Sequence, residues 1–179
     1  MNRYKVYDNS YKVYFSTCSI MRWLPVFNSP EYFAVIIDSL KYCQANKGLK
    51  LMAYVIMPDH LHMVTSSEED KSLSDIMRDF KRFTSKAIST LLKKECRIYY
   101  LKVFRNYAKL SKEDSIYKVW RDDFYPKVVY SEKFLRQKID YIHYNPVRKG
   151  LVEKPEEWLY SSARNYLLED NTIIELDDF

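Results

Sequence analysis

Two of the three histidines in this chain stand two positions apart, in the segment YVIMPDHLHMVTSS at residues 54–67. Residues 60–66 predict the second strand of a hairpin, and alternate side chains of a strand point to the same face. His60 and His62 therefore lie side by side, while Leu61 faces the opposite, buried side. Two imidazoles on one face can supply two neighbouring ligands to a divalent metal ion. The alternative is that His60 only occupies the turn and His62 only completes the sheet.

The third histidine belongs to the segment YIHYNPVRKGLV, residues 141–152. Residues 131–145 predict a helix on which Tyr141 and Asn145, four positions apart, share a face. A phenol and an amide oxygen therefore look in the same direction. His143 points roughly the opposite way, and we expect it to pack or to cap the following turn rather than bind the same metal.

A tyrosine can act as a nucleophile and form a covalent intermediate. A phosphotyrosine ester keeps much of the energy of the broken phosphodiester, so a second hydroxyl can reseal the strand without ATP. This chemistry suits the breaking and rejoining of DNA better than simple digestion. The chain has 17 tyrosines, and Tyr144 is the rival on the same helix, although it does not share the face of Asn145.

The composition predicts one soluble domain. The chain has 179 residues, of which 47% are hydrophobic and 30% charged, enough for a single core. No apolar run approaches the roughly 18–20 residues that span a bilayer, and the start has no secretory apolar region. Cys18, Cys43 and Cys96 form no CxxC pair, so we expect reduced, buried cysteines, a cytoplasmic location and no membrane contact.

Charge is unevenly distributed along the chain. Residues 71–105 hold ten basic against three acidic side chains, whereas residues 153–179 hold eight acidic against two basic ones. Such a distribution suits a polyanion bound to one face, although a solvated helix and an acidic tail would also explain it. The candidate phosphate contacts are Arg78, Lys81, Arg82, Lys86, Arg148 and Lys149.

The elements follow the order β-α-β-β-α-β-α. Strands are predicted at 11–20, 49–57, 60–66 and 119–130, and helices at 29–48, 72–95 and 131–145, the last ended by Pro146. This order predicts an α+β, ferredoxin-like split βαβ arrangement, an antiparallel sheet with helices packed on it. The apolar stripe of the second helix comprises Leu73, Ile76, Phe80, Phe83, Ala87 and Leu91.

Two segments stand apart from these elements. Residues 96–118 are basic and aromatic, hard to assign, and interpreted as a mobile insertion. We expect a single catalytic domain over residues 1–168, followed by a frayed acidic tail at 169–179.

Two motifs together carry a family resemblance. The two motifs are MPDHLHMV and YIHYNPVRKGLV, and they are accompanied along the chain by IMRDFKRFTSKAI, VWRDDFYPKVV and WLYSS. With these segments in their order and spacing, the chain resembles the REP-associated tyrosine transposases from about residue 11 to residue 166. These belong to the single-tyrosine HUH transposases, named for a His–hydrophobic–His pair. The resemblance implies an HUH fold, Mg²⁺ or Mn²⁺ bound by His60 and His62, and Tyr141 as the nucleophile. Asn145 stands where related insertion-sequence transposases carry a glutamine metal ligand.

The resemblance also implies a function. It is that of a single-stranded DNA endonuclease and strand transferase, which cuts near hairpin-forming palindromic repeats through a 5′-phosphotyrosine intermediate. The protein would act as a monomer or a homodimer. Asp59 departs from the asparagine common in this family, and could draw the metal or cap the turn. The candidates for stacking on unpaired bases, if they are not buried in the core, are Tyr99, Tyr100, Phe104, Trp120 and Tyr125.

Three other functions remain open at this point. The chain could be a catalytically inactive module that binds DNA hairpins, or a replication-initiator-like HUH nickase. It could also be a metal-dependent hydrolase of small phosphate substrates, although such an enzyme has no obvious use for a basic helix.

Overall fold

A computed structural model describes residues 13–111, 115–122 and 126–178 of the chain. Its four strands, β1 to β4, are Tyr14–Ser19, Leu49–Met57, His60–Ser67 and Lys127–Val128. They form one sheet in the order β2-β3-β1-β4, and every neighbouring pair is antiparallel. Because β3 lies between β1 and β2, the first βαβ unit is split, as in ferredoxin-like folds. The predicted α+β fold class is confirmed.

The described α helices, α1 to α5, are Pro30–Lys47, Leu73–Lys94, Ile98–Leu110, Glu132–Arg148 and Ala163–Leu168, with short 3-10 turns at Met21–Trp23 and Pro155–Glu157. Local sequence sets several of their ends. Ser72 and Ser131 accept hydrogen bonds from backbone N–H groups in the first turns of α2 and α4. Gly48, with φ of 72°, ends α1. None of the described helices is long and apolar enough to cross a membrane.

Helices cover both faces of the sheet. On one face, α1 and α2 form the larger core, in which Ile36 and Phe80 pack with Leu61 of β3. On the other face, α4 forms a second core, in which Leu135 packs with Val64 of β3. The side chains of β3 therefore alternate between the two cores, and the even-numbered ones face α4.

Pro146 does not end α4, contrary to the prediction. It lacks an N–H for the carbonyl four residues earlier, yet the helix continues to Arg148. Lys149 donates its N–H to the carbonyl of Asn145 at 3.1 Å, and Gly150 then turns the chain with φ of 67°. Asn145 and Pro146 are both buried, so packing outweighs the loss of one helical hydrogen bond.

Most of residues 96–118, interpreted from the sequence as a mobile insertion, instead forms a helix. Residues 98–110 form α3, and Leu101, Phe104 and Ala108 lie three and four positions apart on its buried face. This helical period is present in the sequence, but the surrounding tyrosines and basic residues obscure it.

The predicted strand at 119–130 is largely absent in the described residues. Only Lys127 and Val128 pair with β1 as a strand, and an isolated bridge joins Trp120 to Ile20. Pro126, which has no N–H to donate, precedes the short strand. In α2, Leu73, Ile76 and Phe80 are buried as predicted, but Phe83 is exposed whereas Thr84 and Ile88 are buried. The apolar stripe therefore runs one position further along than predicted from residue 83 onward.

The cysteines and the acidic C-terminal segment also depart from expectation. Cys18 and Cys43 are buried as predicted, but Cys96 is exposed.

The C-terminal segment is not frayed over its described residues. Ile174 is buried in the larger core, and Asp177 donates its N–H to the carbonyl of Leu51 at 2.9 Å. The segment therefore extends the hydrogen bonding of β2.

Candidate active site

β3 presents His60 and His62 to the face of the sheet that α4 covers. Leu61, between them, is buried in the opposite core, as its alternation predicts. The imidazole centroids are 4.6 Å apart, and the two residues are only 7% and 6% exposed. The pair offers two nitrogen donors in a mostly enclosed site.

The ring of His62 is fixed from β1. Thr17 lies opposite it in the antiparallel pair, with Oγ1 2.8 Å from Nδ1, and Phe15 stacks on the ring with 5.5 Å between centroids. Burial, assisted by the charges of His60 and Lys138, lowers the pKa of His62 to about 3. His62 is therefore neutral at pH 7, and the contact to Nδ1 leaves Nε2 available to a metal.

His60 is oriented by the residue before it. The Asp59 carboxylate oxygen Oδ1 lies 2.5 Å from Nδ1 of His60. Burial raises the pKa of Asp59, but the hydrogen bond and charge of His60 hold it below its usual value. A carboxylate on one ring nitrogen fixes the imidazole and leaves the other nitrogen for a ligand. The Asp59 side chain thus holds a histidine, a role that the sequence did not suggest.

Tyr141 of α4 lies against the same pair. Its ring centroid is 5.1 Å from that of His62 and 6.0 Å from that of Phe15, and its side chain is 38% exposed. Tyr144 is also exposed, but within the described residues its ring contacts neither imidazole. The structure therefore brings Tyr141, not its rival, beside the histidines.

Asn145 is buried one helical turn after Tyr141. Its side-chain amide makes no hydrogen bond with any described residue, so the oxygen is not committed to another protein group. The described part of the chain holds no cluster of three His, Cys, Asp or Glu side chains that could bind a metal. A metal on His60 and His62 would therefore need oxygen donors such as this amide or a substrate phosphate.

Two cations flank Tyr141. Lys138 Nζ lies 5.8 Å from its ring centroid and 4.8 Å from that of Phe15, and the Arg148 guanidinium lies 5.2 Å from the Tyr141 centroid. Burial, followed by the charge of Lys127, lowers the pKa of Lys138. Lys138 was not among the residues predicted from the sequence, although its position three residues before Tyr141 places both on one helix face.

His143 is separate from this cluster, as predicted. Its Nε2 lies 3.0 Å from the hydroxyl of Ser162, and its ring meets that of Tyr166 with 4.9 Å between centroids. Burial lowers the pKa of His143 to about 4. It is a neutral packing residue between α4 and the segment that leads into α5.

Comparison with known families adds a further line of evidence. The family model described as "Transposase IS200 like" matches residues 24–145, more than half of the chain, and its match includes both histidines, Tyr141 and Asn145. The chain belongs to the IS200-like transposase family. The family resemblance inferred from the motifs is therefore confirmed.

Relatives of this chain include two REP-associated proteins. A Haemophilus influenzae protein with the provisional name REP-associated tyrosine transposase is 32% identical over 134 residues, which cover 74% of this chain and 69% of the relative. The Escherichia coli K12 REP-associated tyrosine transposase is 22% identical over 118 residues, covering 65% of this chain and 56% of the relative. The chain thus spans little more than half of the Escherichia coli protein.

The fold of this chain also has a solved counterpart. A structure of a REP-associated tyrosine transposase bound to a REP hairpin superposes with a TM-score of 0.59 at 18% identity, covering 96% of this chain and 88% of the other. The likeness supports the α+β architecture with helices on both sides of the sheet.

The six basic residues singled out in the sequence fall into two groups. Four of them, Arg78, Lys81, Arg82 and Lys86, line a groove of about 830 Å³ between α2 and residues 115–122. The other cationic residues described along this groove are Lys93, Lys118 and Arg121. Arg148 and Lys149 are exposed at the end of α4, where the charge of Lys149 acts on Asp59. The second group therefore lies nearer the imidazoles than the first.

The aromatic candidates for base stacking are only partly accessible. Phe104 and Trp120 are buried, and the Trp120 indole donates to the hydroxyl of Thr84 at 2.8 Å, so both belong to the core. Tyr99 is exposed and Tyr100 is half-buried, while Tyr125 lies outside the described residues. Trp23, which no sequence signal singled out, is a further exposed aromatic residue beside the histidines, next to His60.

Proposed function

We propose that this protein cuts and rejoins single-stranded DNA beside a palindromic hairpin, with Tyr141 as the nucleophile. The observation that carries the proposal is the contact of Tyr141 with His62, whose ring in turn lies beside that of His60, since Tyr141 and the histidines come from distant parts of the chain. Membership of a transposase family supports this chemistry. The REP hairpin bound to the structurally similar transposase supports hairpin DNA as the substrate class.

We assign one Mg²⁺ or Mn²⁺ ion to Nε2 of His60, Nε2 of His62 and the amide oxygen of Asn145. The residues fit this assignment because both Nδ1 atoms are already engaged and His62 is neutral at pH 7. The Asn145 oxygen has no hydrogen bond within the described chain. When bound, such an ion would offset negative charge on the scissile phosphate in the transition state.

In the cleavage step, the phenolic oxygen of Tyr141 attacks the phosphorus of the scissile phosphodiester. A bond forms between that oxygen and phosphorus, and the bond from phosphorus to the 3′ oxygen of the preceding nucleotide breaks. The phenol loses its proton to solvent and the 3′ oxygen gains one, which leaves a 5′-phosphotyrosine and a 3′-hydroxyl. Lys138 and Arg148, which lie beside the Tyr141 ring, would offset negative charge that develops in this step. Attack by another 3′-hydroxyl reverses the step and joins the strands.

The remaining cations are assigned to the DNA backbone. The groove residues Arg78, Lys81, Arg82 and Lys86 would neutralise phosphates at a distance from the histidines, while Arg148 and Lys149 would contact phosphates close to Tyr141. Binding through phosphates releases counterions, so affinity should fall steeply as salt increases.

The test uses end-labelled hairpin oligonucleotides with single-stranded flanks, drawn from palindromes that neighbour the gene. With Mn²⁺, the wild-type protein should give a covalent protein–DNA band on a denaturing gel. EDTA, or a double His60→Ala and His62→Ala variant, should remove that band. Cleavage that survives in EDTA would exclude the metal role. Hairpin binding without any covalent band would leave a DNA-binding module without chemistry.

A further inference from the structure

Trp23 is exposed beside the candidate active site, yet the cleavage step proposed above does not use it. The residue is 48% exposed. Its ring meets that of His60 at 78°, with 5.9 Å between centroids. The indole therefore lies at the edge of the site, on the side of His60.

The backbone holds this indole in place at a conformational cost. Trp23 and the residue before it both have positive φ, 54° and 57°, a left-handed conformation that bulky residues rarely adopt. Such strain persists where the surroundings impose it, and it concentrates at functional sites. Here the N–H groups of Ile20 and Met21 donate to the carbonyls of Asp59 and Val119 at 2.9 and 2.8 Å. The turn at Met21–Trp23 is thus hydrogen-bonded to the β2–β3 hairpin, which carries the two histidines, and to residues 115–122, which line the groove.

Arg121 connects Trp23 with the basic groove. Its guanidinium lies 5.2 Å from the centroid of the Trp23 ring, and the same residue lines the groove along α2. Its carbonyl accepts a hydrogen bond from Lys81 Nζ at 3.0 Å. A strand whose phosphates follow the groove would therefore reach Trp23 next to His60.

We propose that Trp23 is a stacking platform for one unpaired base of the single-stranded DNA next to the scissile phosphate, and that Arg121 contacts an adjoining phosphate. An exposed indole can stack on any base, so this contact would position the strand without reading its sequence. The inference rests on the proposed function for its substrate, but it requires only binding and not cleavage.

The test compares two fluorescein-labelled probes of equal length by fluorescence anisotropy. One is an oligo(dT) of about 20 nucleotides, and the other is its abasic analogue, which keeps the phosphates and sugars. Trp23→Ala should weaken binding of oligo(dT) by about tenfold and leave the abasic probe unchanged. Trp23→Phe, which keeps an aromatic ring, should restore most of the affinity. Tyr42→Ala removes an exposed aromatic side chain from α1 and should change neither probe.

A folding defect is separated from lost stacking by Trp23→Gly. Glycine adopts positive φ readily, so this variant should be at least as thermally stable as Trp23→Ala while binding oligo(dT) equally weakly. Equal losses on both probes, or no loss on either, would overturn the stacking role. If the base-specific loss appears but the wild type forms no covalent band with hairpins, the cleavage proposal fails and the stacking role stands. If the band forms and Trp23→Ala binds normally, only the stacking role fails.

Discussion

The ring of Tyr141 crosses that of His62 at 68°, with 5.1 Å between their centroids, although one residue lies on α4 and the other on β3. Tyr141→Phe removes only the hydroxyl, so it should abolish the covalent band while changing hairpin affinity by less than about threefold. Tyr144→Phe is the matched control and should retain the band. A band that persists in Tyr141→Phe and disappears in Tyr144→Phe would move the nucleophile to Tyr144.

The contacts to Nδ1 of the two histidines should tune metal affinity. Thr17→Val removes the hydroxyl at His62, and Asp59→Ala removes the carboxylate at His60. Each should weaken Mn²⁺ binding about 10- to 100-fold, measured by isothermal titration calorimetry.

Thr65→Val provides a control for the threonine substitution. Thr65 is a buried β3 residue whose hydroxyl has no hydrogen-bond partner within the described chain. Its replacement should leave Mn²⁺ affinity unchanged. Equal Mn²⁺ affinity in the wild type, Thr17→Val and Asp59→Ala would show that neither side chain supports a metal ligand.

Lys138 should act on the rate of cleavage more than on binding, because its charge lies beside the Tyr141 ring. Lys138→Met should slow single-turnover formation of the covalent band at least about tenfold, while hairpin affinity changes little. Lys138→Arg, which keeps the charge, should recover part of the rate. Lys133→Met changes an exposed lysine on the same helix and serves as the control. A Lys138→Met rate equal to that of the wild type would remove Lys138 from the mechanism.

The groove cations should differ in their contribution to DNA binding. Arg78 is already paired with Asp75 at 2.5 Å, whereas Lys86 has no carboxylate partner within the described residues. Lys86→Ala should therefore reduce the slope of log Kd against log salt by about one, and Arg78→Ala should reduce it less. Anisotropy titrations with oligo(dT) at several NaCl concentrations measure both slopes. A larger effect of Arg78→Ala would contradict this ranking.

The burial of His143 should make stability depend on pH. Its pKa is lowered to about 4 in the folded protein, whereas in the unfolded chain it is about 6.5. Below about pH 6.5, His143 therefore binds a proton in the unfolded chain, whereas in the folded protein it stays neutral until the pH approaches about 4. The free energy of unfolding should fall as pH decreases toward 4, by up to about 1.4 kcal/mol per pH unit for this group.

Urea unfolding of the wild type and His143→Gln between pH 7 and pH 4.5 checks this prediction. His62, with its own lowered pKa, contributes a similar fall to both proteins, so the difference between the two curves isolates His143. The variant should lose stability less steeply with acid. Parallel curves would mean that His143 titrates alike in both states.

The sequence by itself determined the features that depend on local periodicity. The alternation of His60, Leu61 and His62 fixed their faces because strand side chains repeat every two residues. The spacing of Tyr141 and Asn145 fixed their shared side because a helix repeats every 3.6 residues. The order of these elements was sufficient to predict the antiparallel ferredoxin-like sheet.

Only the tertiary structure decided which distant groups meet. It placed α4 on the face of the sheet opposite α1 and α2, which brings Tyr141 to His62, adds Lys138, and sets Trp23 at the edge of the site. It also continued α4 through a buried Pro146, against the predicted helix end, and it placed Phe104 in the core, one of the two alternatives that the sequence left open. Contacts between residues far apart in the chain depend on how side chains pack across elements, and packing has no period that a single sequence displays.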